Sequence, residues 1–328
     1  MSEYSSVQKP ILKYTQELGW ALVSRTEAEV YREFKSEGIG KERAVGSTLF
    51  FADLLYEKVK QFNPRYSDSK ENLIRQFSVL QNNINGNRDF FEYLKGNKTF
   101  FCKEENRELN LKLIDFDDIT NNTFQITEEY YFSNGRFGNR EDIVFLINGI
   151  SIIVVECKDA DKEEAIDIGI DQIRRYHRET PEMLVPEQIF TVTEALGFFY
   201  GVTWNTTRRT IFEWKHEEVG KLEKKIKTFF DPKKVLSYIK EYIIFQEKDD
   251  ELNKYILRQH QTEAVEKVVG RALDKTKRRG LVWHTQGSGK TFTMIKAAEI
   301  LFKANETNKP TILLLIDRNE LEDQLIRN

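Results

Sequence analysis

The sequence has only two cysteines, Cys102 and Cys157, among its 328 residues. Two cysteines form neither a disulfide framework nor a four-cysteine zinc site, and such scarcity is typical of proteins from the reducing cytoplasm. No stretch approaches the run of about 20 apolar residues that a membrane-spanning helix needs, and Met1–Pro10 has no signal-peptide character. We therefore expect a cytoplasmic protein without a membrane partner.

The sequence also lacks an excess of positive charge. Its 50 lysines and arginines stand against 53 acidic residues, for a net charge of −3, so any contact with nucleic acid must use local basic patches. A hydrophobic content of 40% and a charged content of 31% fit a globular protein, and the length suffices for one large or two ordinary domains. With neither internal repeats nor low-complexity tracts, function must be inferred from local motifs.

The strongest local signal is a pair of apolar runs, 143–147 and 150–155, joined by Asn148-Gly149. This dipeptide between two such runs predicts a β-hairpin. Because the second run is continuously apolar, it predicts a central strand that is buried on both faces. Glu156 and Lys158 end this strand on one face, where burial of both charges is costly unless they pair or bind a metal.

The register of this hairpin decides whether Asp142, at the start of the first strand, lies beside Glu156. A two-residue turn would leave the two carboxylates on opposite faces, whereas a bulged loop over residues 148–150 would pair them directly. We predict the bulged loop, because only that register lets the two carboxylates share a cation. A two-residue turn without a bulge elsewhere would contradict a shared metal site.

Periodicity and turn residues predict the other elements. Helices are expected over 7–18, 27–34, 41–61, 69–80 and 162–178, with strands over 109–116, 123–132, 188–192, 198–202 and 210–214. From Phe90 onward the period changes from helix to strand. The lysine-rich stretch 215–240 either lines a path for DNA or forms a solvated amphipathic helix that joins two domains. Three acids, Asp115, Asp117 and Asp118, are either metal ligands or solvated loop residues.

The hairpin motif carries a resemblance to known families. Asp142, Glu156 and Lys158 in the pattern Asp-x13-Glu-x-Lys resemble the PD-(D/E)xK nuclease signature. The amino-acid sequence of residues 142–158, and that of residues 111–124 before them, resembles the restriction subunit of type I restriction–modification enzymes. One departure is Glu141, where the pattern usually has a proline that serves the backbone and is not a ligand.

This resemblance implies metal-dependent hydrolysis of DNA phosphodiesters. Asp142 and Glu156 would bind one or two Mg²⁺ ions, with the backbone carbonyl of Cys157 as a third oxygen ligand, because Mg²⁺ prefers oxygen. Lys158 would orient or deprotonate the attacking water, or offset charge on the phosphate, and the sequence leaves these roles open. The Cys157 thiol is expected to be a small core group.

Gln172 and Tyr176 lie four residues apart, on one face of the predicted helix 162–178. They resemble the QxxxY element of RecB-like nucleases, which would position DNA or the metal-bound carboxylates. The alternative is an ordinary helix surface with some packing. The neighbouring His177 is predicted to lie on the surface.

A second chemical motif follows residue 279. A predicted strand at 280–283 leads into a glycine loop and then a helix from Lys290 to about Phe302, which is the context that a phosphate-binding loop requires. The sequence of this loop resembles motif I of superfamily 2 helicases, with His284 in place of the first glycine of the general Walker A pattern. By this resemblance Lys290 would contact the β- and γ-phosphates of ATP and Thr291 would hold Mg²⁺, in a nucleotide site made of Gly287, Ser288, Gly289, Lys290 and Thr291.

Two flanking elements also resemble parts of these helicases. Gln261, in the sequence Arg-Gln-His-Gln, resembles the adenine-binding residue, the alternative being an exposed glutamine near a helix start. A predicted strand at 311–316 ends in Asp317-Arg318, which resembles the DNA-contacting motif Ia. The sequence stops at Asn328 before the DExx acids, so we expect either the N-terminal part of a longer motor subunit or a truncated product. We expect weak ATP binding, and no hydrolysis by this chain alone.

Together these motifs predict an α/β protein. A PD-(D/E)xK nuclease domain with a mixed sheet flanked by helices would span residues 1–245, and a partial RecA-like helicase lobe would span 246–328. The resemblance implies the R subunit of an ATP-dependent type I restriction endonuclease, with Mg²⁺ and ATP as cofactors. Its partners would be double-stranded DNA and the methyltransferase (M) and specificity (S) subunits, with translocation along DNA. The alternatives are a RecB-like repair nuclease–helicase, which the nuclease-first order opposes, and a catalytically idle docking module.

Overall fold

The computed structural model describes residues 4–33, 48–102, 105–159, 164–194, 196–216, 221–248, 250–277, 279–304 and 310–315. Its α-helices are α1 Lys9–Gln16, α2 Arg25–Tyr31, α3 Ala52–Phe62, α4 Lys70–Ser78, α5 Ile84–Leu94, α6 Ala165–Glu179, α7 Leu222–Phe229, α8 Pro232–Ser237, α9 Gln259–Leu273 and α10 Lys290–Lys303. Its strands are β1 Ala21–Val23, β2 Thr99–Cys102, β3 Arg107–Asn110, β4 Phe124–Ser133, β5 Gly138–Ile147, β6 Ile150–Cys157, β7 Ile189–Thr193, β8 Phe198–Val202, β9 Phe212–Glu213, β10 Ile243–Lys248 and β11 Glu251–Ile256. None of these helices is long and apolar enough to cross a membrane.

Seven of these strands form one mixed sheet in the order β1-β4-β5-β6-β7-β8-β9. The pairs β1–β4 and β6–β7 are parallel and the other pairs are antiparallel. Strand β6 is fourth of seven and every one of its residues is buried, as its unbroken apolar run predicts. The α/β class with a mixed sheet flanked by helices is confirmed.

The helix boundaries follow local capping chemistry. Ser69 accepts a hydrogen bond from the backbone N–H of Asn72 and so begins α4, while Ser24 and Glu27 form a reciprocal capping box at α2. Helix α1 ends just before Gly19, whose φ of +97° is a left-handed conformation that favours glycine. These ends lie within a few residues of their predicted positions.

Two of the predicted secondary-structure assignments are wrong. Residues 90–94 continue helix α5 instead of turning to strand, because Phe90, Phe91 and Leu94 pack into the core along one helical face. The predicted strand 109–116 is strand only to Asn110. Beyond it, the Asp115 carboxylate accepts hydrogen bonds from the backbone N–H groups of Asp117 and Asp118, which close the chain into a loop.

The lysine-rich stretch contributes apolar side chains to the core. It forms α7 and α8, which are separated by Phe230 and Asp231, and Ile226, Phe229 and Phe230 of this stretch are completely buried. The ring of Phe230 stacks on Phe145 of β5 at 4.0 Å. Because several of these lysines pair with acids, such as Lys227 with Glu17 and Glu223, the amphipathic helix is the better description. That this stretch joins two domains stays a prediction.

The C-terminal part contains the β10–β11 hairpin and the helices α9 and α10, which pack on each other. The predicted strands at 280–283 and 311–316 are absent from the described residues, and 316–318 lie outside them. Leu281 and Trp283 are 85% and 86% exposed. A strand requires a neighbour that supplies its hydrogen bonds, and the described part of the chain offers none here. The predicted boundary at residue 245 falls within β10 and stays a prediction.

Candidate functional site

The β5–β6 hairpin brings Asp142 and Glu156 together, although not by the predicted turn. Ile147 pairs with Ile150, so the loop has two residues, and Asn148 and Gly149 both have positive φ, as a type I′ turn requires. The bulge lies further along, where Ile152 is the extra residue between the Leu146–Ser151 and Phe145–Ile153 pairs. The predicted loop is therefore wrong, but the bulge restores the predicted register, in which Asp142 is opposite Glu156.

Lys158 lies between these carboxylates. Its backbone N–H donates to the carbonyl of Thr193, which extends the parallel ladder to β7. Its Nζ lies 3.0 Å from Glu156 Oε2, 3.5 Å from Asp142 Oδ2 and 2.6 Å from the Cys157 carbonyl oxygen. One buried cation is thus surrounded by the three oxygens that were predicted as metal ligands.

The two carboxylates have different surroundings. The Asp142 side chain is 12% exposed, and its Oδ2 accepts a hydrogen bond of 2.8 Å from the backbone N–H of Cys157. Glu156 is completely buried. Burial and the nearby Asp142 charge hold the pKa of Glu156 well above its usual range, although Lys158 and Tyr176 act in the opposite direction. A cation at this position would stabilise the ionised form of Glu156.

Helix α6 contributes Gln172 and Tyr176, as predicted. The Tyr176 hydroxyl lies 2.8 Å from Glu156 Oε1 and 2.7 Å from the carbonyl of Arg140, and its single proton serves one of them at a time. Gln172 Nε2 donates to the hydroxyl oxygen at 2.7 Å. Tyr176 is fully buried, so the surface alternative fails for it, and the pair fixes the orientation of the Glu156 carboxylate.

The neighbouring His177 is not a surface residue, contrary to the prediction. Its Nδ1 lies 2.9 Å from the Ile173 carbonyl, and its Nε2 accepts a hydrogen bond of 2.8 Å from the backbone N–H of Trp204. The ring also packs edge-on against the Trp204 indole. His177 therefore ties α6 to the loop after β8.

Sequence reasoning missed a second acidic pair behind the site. Glu141, where the nuclease pattern has proline, and Glu187 are both completely buried. Burial raises the pKa of Glu141 well above its usual range and that of Glu187 to about 8, while the nearby Arg32 guanidinium partly offsets both shifts. If both carboxylates are ionised, neither has a hydrogen-bond donor among the described residues. If the two share one proton, the protonated carboxyl donates a hydrogen bond to the other. The sequence feature that could have identified this pair is a charged residue next to a run of buried apolar residues.

The predicted ligand set fits a hard cation. Among the described residues no three His, Cys, Asp or Glu side chains come together as a metal site, so a metal at this place needs the Cys157 carbonyl as well as the two carboxylates. The convergence of all three oxygens on the Lys158 ammonium indicates that this spacing suits a cation. The Cys157 side chain is buried in the core, as predicted.

Asp115, one of the three loop acids, has a structural role outside this centre. Burial by itself would raise its pKa, but hydrogen bonds from Asn121 and from two backbone N–H groups more than offset this and lower the pKa to about 2. Asn148, in the hairpin turn, donates to the carbonyl of Leu113 and to Asn122 Oδ1. This loop therefore braces the hairpin from behind.

The predicted nucleotide site is a glycine loop that precedes α10. Gly287 and Gly289 have φ values of +75° and +79°, and α10 begins at Lys290. Lys290 Nζ donates to the backbone carbonyls of His284 and Thr285 at 3.3 and 3.0 Å, across the loop. Ser288 is buried and Thr291 is half-buried in the first turn of the helix. The assignment of these five residues to ATP stays a prediction.

Gln261 lies beside this loop and is buried, so the exposed-glutamine alternative fails. Its Nε2 donates to the Gly289 carbonyl at 2.8 Å, and its Oε1 accepts from the backbone N–H of Arg258 at 2.8 Å. Both ends of the amide are therefore engaged by the protein. Recognition of adenine by Gln261 stays a prediction, and it would require an exchange of these bonds.

Comparison with known proteins agrees with the order of the two sites. Residues 1–209 match the family described as type I restriction enzyme R protein N terminus, and residues 260–328 match the SWI2/SNF2 ATPase family. A putative type I restriction enzyme endonuclease subunit, MjaVIIIP of Methanocaldococcus jannaschii, is 28% identical over 97% of this chain and 31% of its own length.

Two further relatives have similar names. The HindI endonuclease subunit of Haemophilus influenzae is 26% identical over 100% of this chain and 32% of its own length. The SsaAORF53P endonuclease subunit of Staphylococcus saprophyticus is 28% identical over 76% of this chain and 27% of its own length. The chain thus spans about a third or less of the curated relatives that it matches. Since the R protein family covers more than half of the 328 residues, the chain belongs to the family of type I restriction enzyme R proteins, in their N-terminal region.

Proposed function

We propose that Asp142, Glu156 and Lys158 form the catalytic centre of a Mg²⁺-dependent DNA endonuclease. The observation that carries this proposal is the convergence of Asp142 Oδ2, Glu156 Oε2 and the Cys157 carbonyl on one cation, the Lys158 ammonium, within 3.5 Å. The site lies at the end of the central hairpin and opens towards solvent at Asp142. This arrangement supports hydrolysis better than an ordinary surface salt bridge, since all three residues are largely buried.

Each residue has a role that follows from its contacts. Asp142, Glu156 and the Cys157 carbonyl would hold Mg²⁺, which when bound lowers the pKa of water and polarises the phosphate. Lys158 orients the attacking water and offsets the negative charge that develops on the phosphate oxygens. The Tyr176 hydroxyl holds the Glu156 carboxylate in place, and Gln172 holds the hydroxyl.

The substrate and partners of the whole protein follow from the family. The relatives are named as endonuclease subunits of type I restriction enzymes. We infer that the whole protein cleaves double-stranded DNA in complex with M and S subunits, and that ATP drives its translocation along DNA. In this chain the loop 287–291 binds ATP, with Lys290 on the phosphates, and the match of residues 260–328 to SWI2/SNF2 ATPases supports that assignment.

The first test is cleavage of supercoiled plasmid in Mg²⁺ by this chain, with and without ATP and partner subunits. We expect Asp142→Asn and Lys158→Ala to lower the cleavage rate by at least about a hundredfold, because each removes a group that acts in the transition state. Asp117→Asn is the matched control, since it removes an exposed acid outside the site.

The outcomes separate the proposal from an idle docking module. Loss of cleavage in both site variants, with normal cleavage by Asp117→Asn, supports the nuclease centre. Cleavage that persists in Asp142→Asn would contradict it. If no protein cleaves, Mn²⁺ binding measured by calorimetry decides: binding that Asp142→Asn abolishes supports a metal site, and its absence in the unaltered chain leaves the docking module.

A further inference from the structure

A solvent-open cleft lies in front of Asp142. Its described walls come from four elements: Arg25 at the start of α2, Tyr131 on β4, Arg140 and Asp142 on β5, and Gln172 and Arg175 on α6. Among the described residues of the lining, Asp142 is the only acidic one. The cleft therefore gives access from solvent to the one candidate ligand whose carboxylate is partly exposed.

Arginine is concentrated in this cleft. Its lining, as far as the described residues form it, has three guanidinium groups and one carboxylate, on a chain whose net charge is −3. The side chains of Arg25, Arg140 and Arg175 are 37%, 54% and 47% exposed. The cleft therefore presents three partly exposed guanidinium groups, and a guanidinium can donate hydrogen bonds to a phosphate.

The three arginines are held in place by acids that do not line the cleft. Arg25 pairs with Glu29 at 2.8 Å, Arg140 with Glu129 at 2.7 Å and Arg175 with Glu179 at 3.8 Å. A guanidinium has five N–H donors in a rigid fork, so an ion pair through one nitrogen is compatible with further hydrogen bonds to a phosphate. The acids orient the arginines without closing the cleft.

Two of the arginines adjoin the residues that position Glu156. The carbonyl of Arg140 lies 2.7 Å from the Tyr176 hydroxyl, and the Arg175 guanidinium lies 5.7 Å from the centre of the Tyr176 ring. A phosphate bound by these side chains is therefore next to the catalytic carboxylates and not at a remote patch.

We propose that Arg25, Arg140 and Arg175 bind neighbouring phosphates of duplex DNA and place one phosphodiester at Asp142. This inference rests on the proposed nuclease function and assigns its DNA-positioning residues. The described lining is polar, and Tyr131, the one aromatic residue within it, does not make a series of stacking platforms such as single strands use. Binding is thus expected to depend on the backbone and not on base sequence.

The test measures binding of a fluorescently labelled duplex oligonucleotide to the full 328-residue chain by anisotropy, in EDTA and over a series of salt concentrations. Each Arg→Gln variant at the three positions is expected to weaken binding to every duplex sequence and to reduce the slope of log Kd against log salt by about 1. Arg75→Gln, which removes an exposed arginine of α4 outside the cleft, is the matched control with no change in slope. Arg→Lys variants are expected to restore the slope but not the full affinity, because lysine is a point charge without the bidentate fork.

Unchanged affinity and slope in the three variants, with thermal melting like that of the unaltered chain, would overturn this inference. Its failure is separable from that of the nuclease proposal, because Asp142→Asn is expected to bind the duplex in EDTA while losing cleavage in Mg²⁺. Arginine-dependent binding without any Asp142-dependent cleavage would support the inference and refute the nuclease. Cleavage that depends on Asp142, together with binding that does not depend on the arginines, would support the nuclease proposal and refute this inference.

Discussion

Single hydrogen-bonding groups connect the candidate site to the rest of the protein. The Tyr176 hydroxyl links Gln172 on its own helix with Glu156 on β6 and with the backbone of β5. Because the ring is fully buried, this hydroxyl has few alternative partners, and its position sets the position of the Glu156 carboxylate. Helix spacing of four residues puts Gln172 and Tyr176 on one face, but only their contacts identify the carboxylate that they hold.

His177 leads to a prediction on the pH dependence of stability. Burial is the main cause that lowers its pKa to about 4, and the positive charges of Lys254 and Arg178 add to it, whereas the hydrogen bond to Ile173 acts in the opposite direction. Between about pH 4 and 6.5 the unfolded chain binds a proton that the folded chain does not, so the free energy of unfolding falls as pH decreases through this range. The loss amounts to at most about 3 kcal/mol.

Urea unfolding at pH 7 and pH 5 measures this loss. The unaltered chain is expected to lose more stability between the two values than His177→Gln, which has no proton to bind at this position. Parallel pH curves for the two proteins would contradict the assignment of a neutral, buried imidazole.

At the scale of elements, the approach of α6 to the sheet decides where Gln172 and Tyr176 lie. A Cβ atom on Gly169 would come within 2.3 Å of Val192 Cγ1 on β7, so only glycine permits this packing distance. Gly169→Ala is expected to lower the free energy of unfolding by about 1–3 kcal/mol through overpacking. It is also expected to reduce cleavage, because a displaced α6 moves Tyr176 away from Glu156.

Gly270→Ala in α9 is the matched control for this prediction. A Cβ there would meet no atom within 4 Å, and alanine is favoured over glycine inside a helix by roughly 1 kcal/mol. Chemical unfolding is thus expected to show a small gain for Gly270→Ala and a loss for Gly169→Ala. Equal effects of both substitutions would show that helix propensity, and not the contact with Val192, determines the outcome at Gly169.

At the scale of the whole molecule, Lys254 connects the β10–β11 hairpin to α5 and to the seven-stranded sheet. Its completely buried Nζ lies 2.7–3.0 Å from four oxygens, on Asn87, Thr203 and both the backbone and side chain of Gln188. These residues belong to α5 and to the segments that flank β7 and β8. One side chain therefore joins four segments that are distant in sequence.

Lys254→Met keeps the length of the side chain but removes every donor. Because the four oxygens would stay buried with fewer donors, the free energy of unfolding is expected to fall by roughly 3 kcal/mol. Hydrogen exchange should show loss of protection in β10 and β11 first. Lys267→Met, on the exposed side of α9, is the control, and an equal loss in both variants would contradict a specific role for the Lys254 contacts.

Much of the candidate site could be predicted from local sequence. Continuous apolar runs and turn chemistry between residues 142 and 158 predicted a central hairpin with both carboxylates at one end. Periodicity and turn residues predicted α1, α2 and α4 to within a few residues. Five residues around the site escaped prediction: Glu141, Glu187 and the three cleft arginines. For the two glutamates the local signal was only a charge beside an apolar run, because their surroundings come from elements far away in the chain. The position of the bulge was also predicted wrongly. One extra residue in the loop or at Ile152 gives the same register at Glu156, so the register alone does not locate the bulge.

The sequence by itself determined the family, the order of its motifs and the central place of β6, because these depend on residue identity and on period. Only the tertiary structure decided that Phe90 belongs to a helix, that the lysine-rich stretch belongs to the core, and that residues 280–283 do not form a strand. Strand pairing, burial and the pKa values of buried acids depend on neighbours that are distant along the chain. For the same reason, the arginines that surround Asp142 became recognisable as one cleft only after α2, β5 and α6 were placed together.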